Sequence, residues 1–177
     1  MSKMKKVILA GLLLATLLVL SRFLSIKTPL LVISFSFVPI MLSAIWLGPK
    51  YSTLIAALGD FIGAILFPFG TYFPGFTVSS ALVGLIYGLF LYRKPNQEIR
   101  EGKFVLKLVT SSILNLGFIN ILLTSLWLHL LYGQAYLVII GTRIVTQVIM
   151  LPIQVIVIYT LDRLTRPIMK KYFINEN

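Results

Sequence analysis

The chain has no cysteine, and its single histidine is His129. Without thiols there are no disulfides, thiolate metal sites, haem-attachment motifs or cysteine nucleophiles. A zinc site needs several ligands of the right type, and one histidine with few acids does not supply them. No Gly-x-x-x-x-Gly-Lys-Ser/Thr segment is present, so any ATP-driven step falls to another chain. Acids are scarce: Glu98, Glu101, Asp162 and Glu176 lie in or beside polar segments, and Asp60 alone sits inside an apolar run. Charged residues make up only 12% of the 177 residues and hydrophobic ones 58%, against about 25% and 45–50% in a soluble domain. Such an apolar surplus cannot be hidden in one soluble core.

Lipid is the solvent that accepts it. A bilayer core about 30 Å thick takes about 20 apolar residues per helix, and the hydropathy divides into spans of roughly that kind. They fall at about Val7–Leu24, Ser34–Leu47, Tyr51–Phe67, Phe76–Tyr92, Phe104–Tyr132 and Ala135–Leu161. The second is short, and is expected to be tilted, kinked at Pro39 or partly re-entrant. Backbone groups in lipid must be satisfied internally, and the unbroken Leu/Ile runs lack the alternation of a β-barrel strand. The expected architecture is an all-α membrane protein, a six-transmembrane-helix bundle forming a single membrane-embedded domain over residues 1–177. Lys3, Lys5 and Lys6 before Val7–Leu20 resemble the start of a signal peptide, but Ser21-Arg22-Phe23 offers no small-x-small cleavage site. That run is expected to stay as the first span.

The pI near 10.1 reads here as an orientation signal rather than as nucleic-acid binding. With the N-terminus inside, 13 of the 16 basic residues fall on inner segments: Lys3, Lys5, Lys6, Lys50, Arg93, Lys94, Arg100, Lys103, Lys107, Arg163, Arg166, Lys170 and Lys171. Both termini are therefore expected in the cytoplasm. Arg22, Lys27 and Arg143 remain on the outer half.

Those exceptions draw the candidate site. A charge within a span costs at least ~2.5–3.5 kcal/mol and faces the bundle interior or a wet cavity. Arg22 and Arg143 are candidates to hold an anion arriving from outside, because the planar guanidinium grips a carboxylate with two hydrogen bonds. The plainer reading of each is snorkelling to the interface, and Lys27 reads as a solvated loop charge. Asp60, in Gly59-Asp60-Phe61-Ile62-Gly63, has three readings. It can accept hydrogen bonds from ligand N–H groups, pair with Arg143 as a structural bridge, or relay protons.

The loop from Phe67 to Thr77 is the most unusual stretch. Phe67, Phe69, Tyr72, Phe73 and Phe76 are carried on a frame stiffened by Pro68 and Pro74, with turns at Gly70 and Gly75. Rigid aromatics over an apolar cavity can sandwich a flat ring; the plainer alternative is an interfacial aromatic belt. Thr77 and Ser79 can hydrogen-bond or cap the span that follows. Ser34-Phe35-Ser36-Phe37 echoes the pattern in the first outer loop, and Asn115, Asn120, Thr124 and Trp127 lie along the fifth span. The asparagines suit either a ligand or bonds across helices. His129 is expected to be interfacial or hydrogen-bonded to a neighbour. Small pairs at four-residue spacing occur at Gly11 and Ala15, Gly59 and Gly63, and Gly84 and Gly88. Each serves either close packing within the bundle or docking of another membrane protein.

At these residues the chain resembles the S components of energy-coupling factor (ECF) vitamin transporters, specifically the folate-specific branch. The most specific match is Phe67 through Thr77 followed by Gly84-Leu-Ile-Tyr-Gly88; Ser34 to Pro39, Leu47-Gly48-Pro49 and Arg143 with Pro152-Ile-Gln154 also fit. The resemblance implies a six-helix bundle that takes a vitamin from outside and works with a membrane T component and two ATPase subunits in a bacterial plasma membrane. It implies that Gly11 and Ala15, where the family often has two alanines, contact the T component. Folate as ligand fits the residues. Aromatics and Asp60 or Asn115 suit a flat, hydrogen-bonding pterin, and Arg22 and Arg143 suit the two carboxylates of its glutamate tail. The substrate-binding set is then Arg22, Ser34, Phe35, Asp60, Phe67, Tyr72, Phe73, Pro74, Gly75, Phe76, Thr77, Asn115, Trp127 and Arg143, with no cofactor and no catalysis. The rivals are an S component for riboflavin, a thiamin precursor or pantothenate, a lipid-modifying membrane enzyme, and a structural membrane subunit. A neutral or cationic vitamin leaves the outer arginines unexplained. The enzyme would need paired acids, a His/Asp set or a metal site. The structural subunit explains neither the aromatic loop nor Arg143.

Overall fold

The computed structural model describes residues 2–27, 32–68, 70–93, 100–133 and 135–169. Six helices run through them: α1 Lys3–Arg22, α2 Phe37–Leu47, α3 Pro49–Leu66, α4 Pro74–Leu91, α5 Glu101–Tyr132 and α6 Tyr136–Met169. Four of these, α1, α4, α5 and α6, are long and apolar enough to cross a membrane. The outer surface is apolar, unlike that of a soluble protein. Large apolar side chains such as Ile8, Leu12, Leu106, Ile113, Val145 and Ile149 point outward, as helices facing lipid require.

The helix ends follow local chemistry. Ser2 accepts from the Lys5 amide at 3.4 Å and caps α1. Gly48, at φ 86°, separates α2 from α3, and Pro49 opens α3 with its preset φ. The eleven residues of α2 span only about 16 Å, so its shortness is as expected. Pro39 does not kink it, however. It lies in the first turn, where the missing N–H has no partner to lose. The residues before α2 hold a short antiparallel hairpin, β1 Ser25–Lys27 with β2 Val32–Ser34, that hydropathy does not reveal. Pro74 and Gly75 belong to the first turn of α4, so the preceding loop is shorter than the sequence indicates.

The middle of α5, Asn115–Leu123, is wound as a π-helix. Its polar side chains reach back five residues. Asn120 Nδ2 donates to the Asn115 carbonyl at 3.3 Å, and Thr124 Oγ1 to the Ile119 carbonyl at 3.0 Å. Side chains competing for those carbonyls favour the wider turn, a feature common at functional sites.

Two apolar clusters hold the bundle. One joins α2, α4, α5 and α6 through Met41, Tyr87, Leu91, Phe104, Leu108 and Ile158. The other joins α1, α2 and α3 through Leu9, Leu13, Leu17, Leu42 and Ile55. Glycines bring α4 against α3. A Cβ on Gly84 would stand 2.3 Å from the Ser52 carbonyl oxygen, and one on Gly88 2.3 Å from Pro49 Cα. Ser52 Oγ donates to the Gly84 carbonyl at 2.7 Å across that contact. Gly59 and Gly63 likewise admit Leu17 and Arg22 of α1.

An ion cluster closes the bundle end where α4 stops and α5 begins. Asp162 of α6 is 2% exposed and holds Arg93 at 3.0 Å and Arg166 at 2.7 Å. The Arg93 guanidinium lies 3.7 Å above the Phe104 ring, and its amide donates to the Ile45 carbonyl at 3.4 Å. Burial works against the charged form of Arg93, and Asp162 offsets part of that effect. Asp162→Ala strands two guanidinium groups and is expected to destabilise the fold by about 3 kcal/mol or more, measured as a lowered midpoint of thermal unfolding in detergent.

Candidate ligand-binding site

A cavity of about 230 Å³ lies among α2, α4, α5 and α6. Its walls mix apolar surface with evenly placed polar groups. Phe37 and Ile40 come from α2, Ser80, Val83 and Tyr87 from α4, and Leu116 and Asn120 from the π-helical turn of α5. From α6 come Arg143, Thr146, Gln147, Met150 and Gln154, and Ser34 and Ser36 complete the rim. Arg143, Gln147, Met150 and Gln154 recur at steps of four, three and four residues, the spacing of one helix face. Polar side chains outnumber apolar ones in this lining, and their convergence on one enclosed space describes a small-molecule site with many hydrogen-bonding groups.

Arg143 is the one charged lining residue among the described residues. Its Nη1 donates to the Asn120 carbonyl at 3.2 Å, while its Nε is buried with no acceptor. An acidic or carbonyl oxygen from a ligand would complete it. Tyr87 donates to Gln154 Oε1 at 3.3 Å, so the floor is a tied polar pair. Asn115 is wholly buried beside the cavity and donates to the Val83 carbonyl at 3.4 Å, and its Oδ1 has no donor. Ser34 receives the Ser36 amide at 3.1 Å and donates to the Leu20 carbonyl at 3.3 Å, which fixes the rim to α1. Phe35 is exposed beside it, its ring 6.0 Å from that of Phe37.

The other expected residues form a second group next to this cavity. Asp60 receives Thr77 Oγ1 at 2.8 Å, the Ser80 hydroxyl also bonds to it, and its charge neighbour is Arg22. Arg22 acts on Asp60 as a nearby charge, and the structural bridge weighed between Asp60 and Arg143 is not made among the described residues. Tyr72 shares a 3.1 Å hydrogen bond with Thr77. Arg22 Nη1 donates to the Phe67 carbonyl at 3.3 Å, and its Nε has no acceptor. Arg22 thus turns into the bundle rather than snorkelling outward. Ser80 is the link between the two groups, since it bonds to Asp60 and lines the cavity.

The aromatic loop packs against helix ends rather than over the cavity. Phe73 stands 5.5 Å from Trp127 and 6.1 Å from Phe76, Phe61 5.9 Å from Tyr72, and Phe67 5.3 Å from Phe23. Trp127 Nε1 donates to Ser79 Oγ at 2.9 Å. Thr77 and Ser79 bond to side chains and cap nothing. Gly75 is needed where it is, because a Cβ there would meet the Phe73 and Trp127 rings at 2.5 and 2.7 Å. Pro74 opens α4 and sets the direction of that turn. His129 stacks edge-on with Tyr136 at 6.1 Å. Phe69, Lys94, Glu98, Lys170, Lys171 and Glu176 lie outside the described residues, as does the side chain of Lys27.

Sequence reasoning missed Ser80, Tyr87, Thr146 and Gln147 as lining groups. The signal available was polar spacing on α6: Gln147 and Gln154 share the face of Arg143. The three small-residue pairs also separate. Those at Gly59 and Gly84 are filled by neighbouring helices, whereas a Cβ on Gly11 would meet nothing within 4 Å, and Gly11 and Ala15 are exposed.

Fold and site define a multi-pass membrane protein with a small-molecule cavity among its helices. Residues 1–166 match the family described as ECF-type riboflavin transporter, S component. The folate transporter FolT of Clostridium novyi (strain NT) is 36% identical over 159 residues, covering 90% of this chain and 88% of that protein. The folate transporter FolT of Leuconostoc mesenteroides is 36% identical over 162 residues, covering 89% and 84%. A crystal structure of FolT bound with folic acid superposes with a TM-score of 0.78 at 38% identity, covering 89% of this chain and 92% of that one. The chain belongs to the S components of ECF-type transporters.

Proposed function

We propose that this chain is the high-affinity folate-binding subunit of an ECF-type, ATP-driven uptake system in a bacterial plasma membrane. In this reading it is one membrane-embedded binding domain over residues 1–177, with both termini in the cytoplasm. It performs no catalysis, and the T component and two ATPase subunits supply the energy. The observation that carries the reading is Arg143. It is a guanidinium in a cavity among lipid-facing helices, with its Nε unpartnered. Keeping a cation there is costly unless an anion completes it. Folate brings carboxylates and a flat ring with hydrogen-bonding edges, and the lining offers Ser80, Asn120, Gln147 and Gln154 for those edges. The relatives named for folate, and the folic acid complex, support the choice.

The remaining expected residues act around that cavity. Asp60, Thr77 and Tyr72 set Ser80 and the loop in place, and Arg22 ties Phe67 to α1. Phe73, Phe76 and Trp127 form the aromatic wall of the loop. Asn115 stands behind Val83. Gly11 and Ala15 form the flat stripe for the T component.

Riboflavin is the second reading, because the matching family is described by that vitamin. Its uncharged ring system makes no use of Arg143. Titrating the purified chain with folate, riboflavin and thiamin separates the two. Folate is expected to bind at least about a hundredfold more tightly than either, a difference of about 2.7 kcal/mol; tighter riboflavin binding overturns the folate assignment. Asp60→Asn is expected to weaken folate by about 1 kcal/mol, the scale of a hydrogen bond made through an intermediary. Calorimetry on the folded variant checks this.

A further inference from the structure

The ion cluster at the α4–α5 end lies outside the vitamin site and holds more cation than anion. Arg93 and Arg166 both approach the same oxygen, Asp162 Oδ2, at 3.0 and 2.7 Å. One carboxylate thus serves two guanidinium groups. Arg93 Nε and Arg166 Nε are buried and have no acceptor. The face of Arg93 is covered by the Phe104 ring, so only its in-plane N–H edge is left to bond. Two guanidinium groups sharing one carboxylate, with their Nε atoms buried, are unfavourable unless further oxygen acceptors complete them.

The position restricts what can complete it. The cluster sits where α4 ends at Leu91, α5 starts at Glu101 and α6 runs on to Met169, which is the surface level of a bilayer-spanning bundle. The side chain of Arg166 is 31% exposed and that of Arg93 13%, so the approach runs along Arg166. Exposed Lys103 and Arg163 adjoin Phe104 and Asp162 in the chain, and exposed Glu101 is bonded by Tyr159 at 3.2 Å. In the orientation proposed above this end faces the cytoplasm, where basic pockets between membrane helices bind lipid headgroups, and a guanidinium edge matches a phosphate with two parallel bonds.

We propose that Arg93 and Arg166, held by Asp162, form an oxyanion site that takes the phosphate of an anionic membrane lipid. Lipid rather than soluble phosphate is the source, because the site lies against the acyl and headgroup boundary. The site stands independently of which vitamin the cavity binds.

The test uses the purified full chain in neutral detergent, titrated with short-chain phosphatidylglycerol, phosphatidylcholine or inorganic phosphate, with binding read by native mass spectrometry. Phosphatidylglycerol is expected to bind saturably and phosphatidylcholine not to. Arg166→Gln should weaken phosphatidylglycerol about thirtyfold, the scale of one lost charge-assisted hydrogen bond. Lys107→Gln removes the same charge away from the cluster and should cost no more than about fivefold, the share of one surface cation. Equal binding of the two lipids, or an equal loss in Lys107→Gln, overturns the site in favour of general surface attraction. Saturable inorganic phosphate binding with no added effect of lipid overturns the lipid assignment. Helicity by circular dichroism checks folding. Should Arg166→Gln misfold, Arg166→Lys decides: it keeps the charge but loses the planar edge, and unchanged lipid binding in it contradicts the proposal.

Discussion

Arg143→Ala is expected to lower folate affinity about tenfold to a hundredfold while the protein stays folded. The loss corresponds to about 1.5–3 kcal/mol, the worth of a hydrogen bond to a charged group. The reasoning starts from what the residue lacks. Its Nη1 has the Asn120 carbonyl at 3.2 Å, its Nε has nothing, and Asp60, bonded to Thr77 at 2.8 Å, makes no ion pair with it. Removing the side chain therefore breaks no internal ion pair, so stability should fall little. Arg143→Lys keeps the charge but not the planar fork, and is expected to recover only part of the affinity. Isothermal titration of both variants, with thermal unfolding alongside, separates ligand contact from folding. Unchanged affinity in folded Arg143→Ala removes this residue from the site.

The second large effect contrasts two glycines of the same motif type. Gly84→Leu is expected to abolish the folded state, because even one added carbon meets the Ser52 carbonyl at 2.3 Å. Backbone cannot step aside as a flexible side chain can. Gly84→Ala should cost about 1–3 kcal/mol, the range for overpacking. Gly11→Leu adds its side chain to open space on α1. Folding and folate affinity should be unchanged, whereas uptake in cells carrying the full transporter should fall at least about tenfold if that stripe seats the T component. Unfolding midpoints, folate titrations and uptake assays on the pair read the three consequences separately. Retained uptake in Gly11→Leu removes Gly11 from the partner surface.

The bundle was legible because lipid writes its constraint directly into composition: 58% hydrophobic and 12% charged residues leave few alternatives. The break at Gly48-Pro49 was visible for the same reason, since both residues have strong backbone preferences. The hairpin at Ser25–Lys27 and Val32–Ser34 was not, because three-residue strands are too short to show a period. The π-helical turn of α5 was hidden too. It depends on Asn120 and Thr124 reaching carbonyls five residues back, and hydropathy does not see side-chain geometry.

The site was half legible. Arg22, Asp60 and Arg143 stood out because a charge in an apolar run is expensive, but their partners are set by helix packing. Gly63 lets Arg22 approach α3 and face Asp60, and spacing alone could not choose between the two arginines. The aromatic loop was found by its proline and glycine frame, while the direction of its rings depends on Trp127, a helix away. Asp162 was read as a polar end residue. Its burial between Arg93 and Arg166 follows from α6 running past Leu161 to Met169.

A structure of this chain with folate bound tests the cavity most directly. The account predicts ligand density among Ser80, Asn120, Arg143 and Gln154, with a ligand oxygen about 2.7–3.2 Å from an Arg143 nitrogen. Folate seated elsewhere, with the Arg143 Nε still without a ligand oxygen, would contradict it.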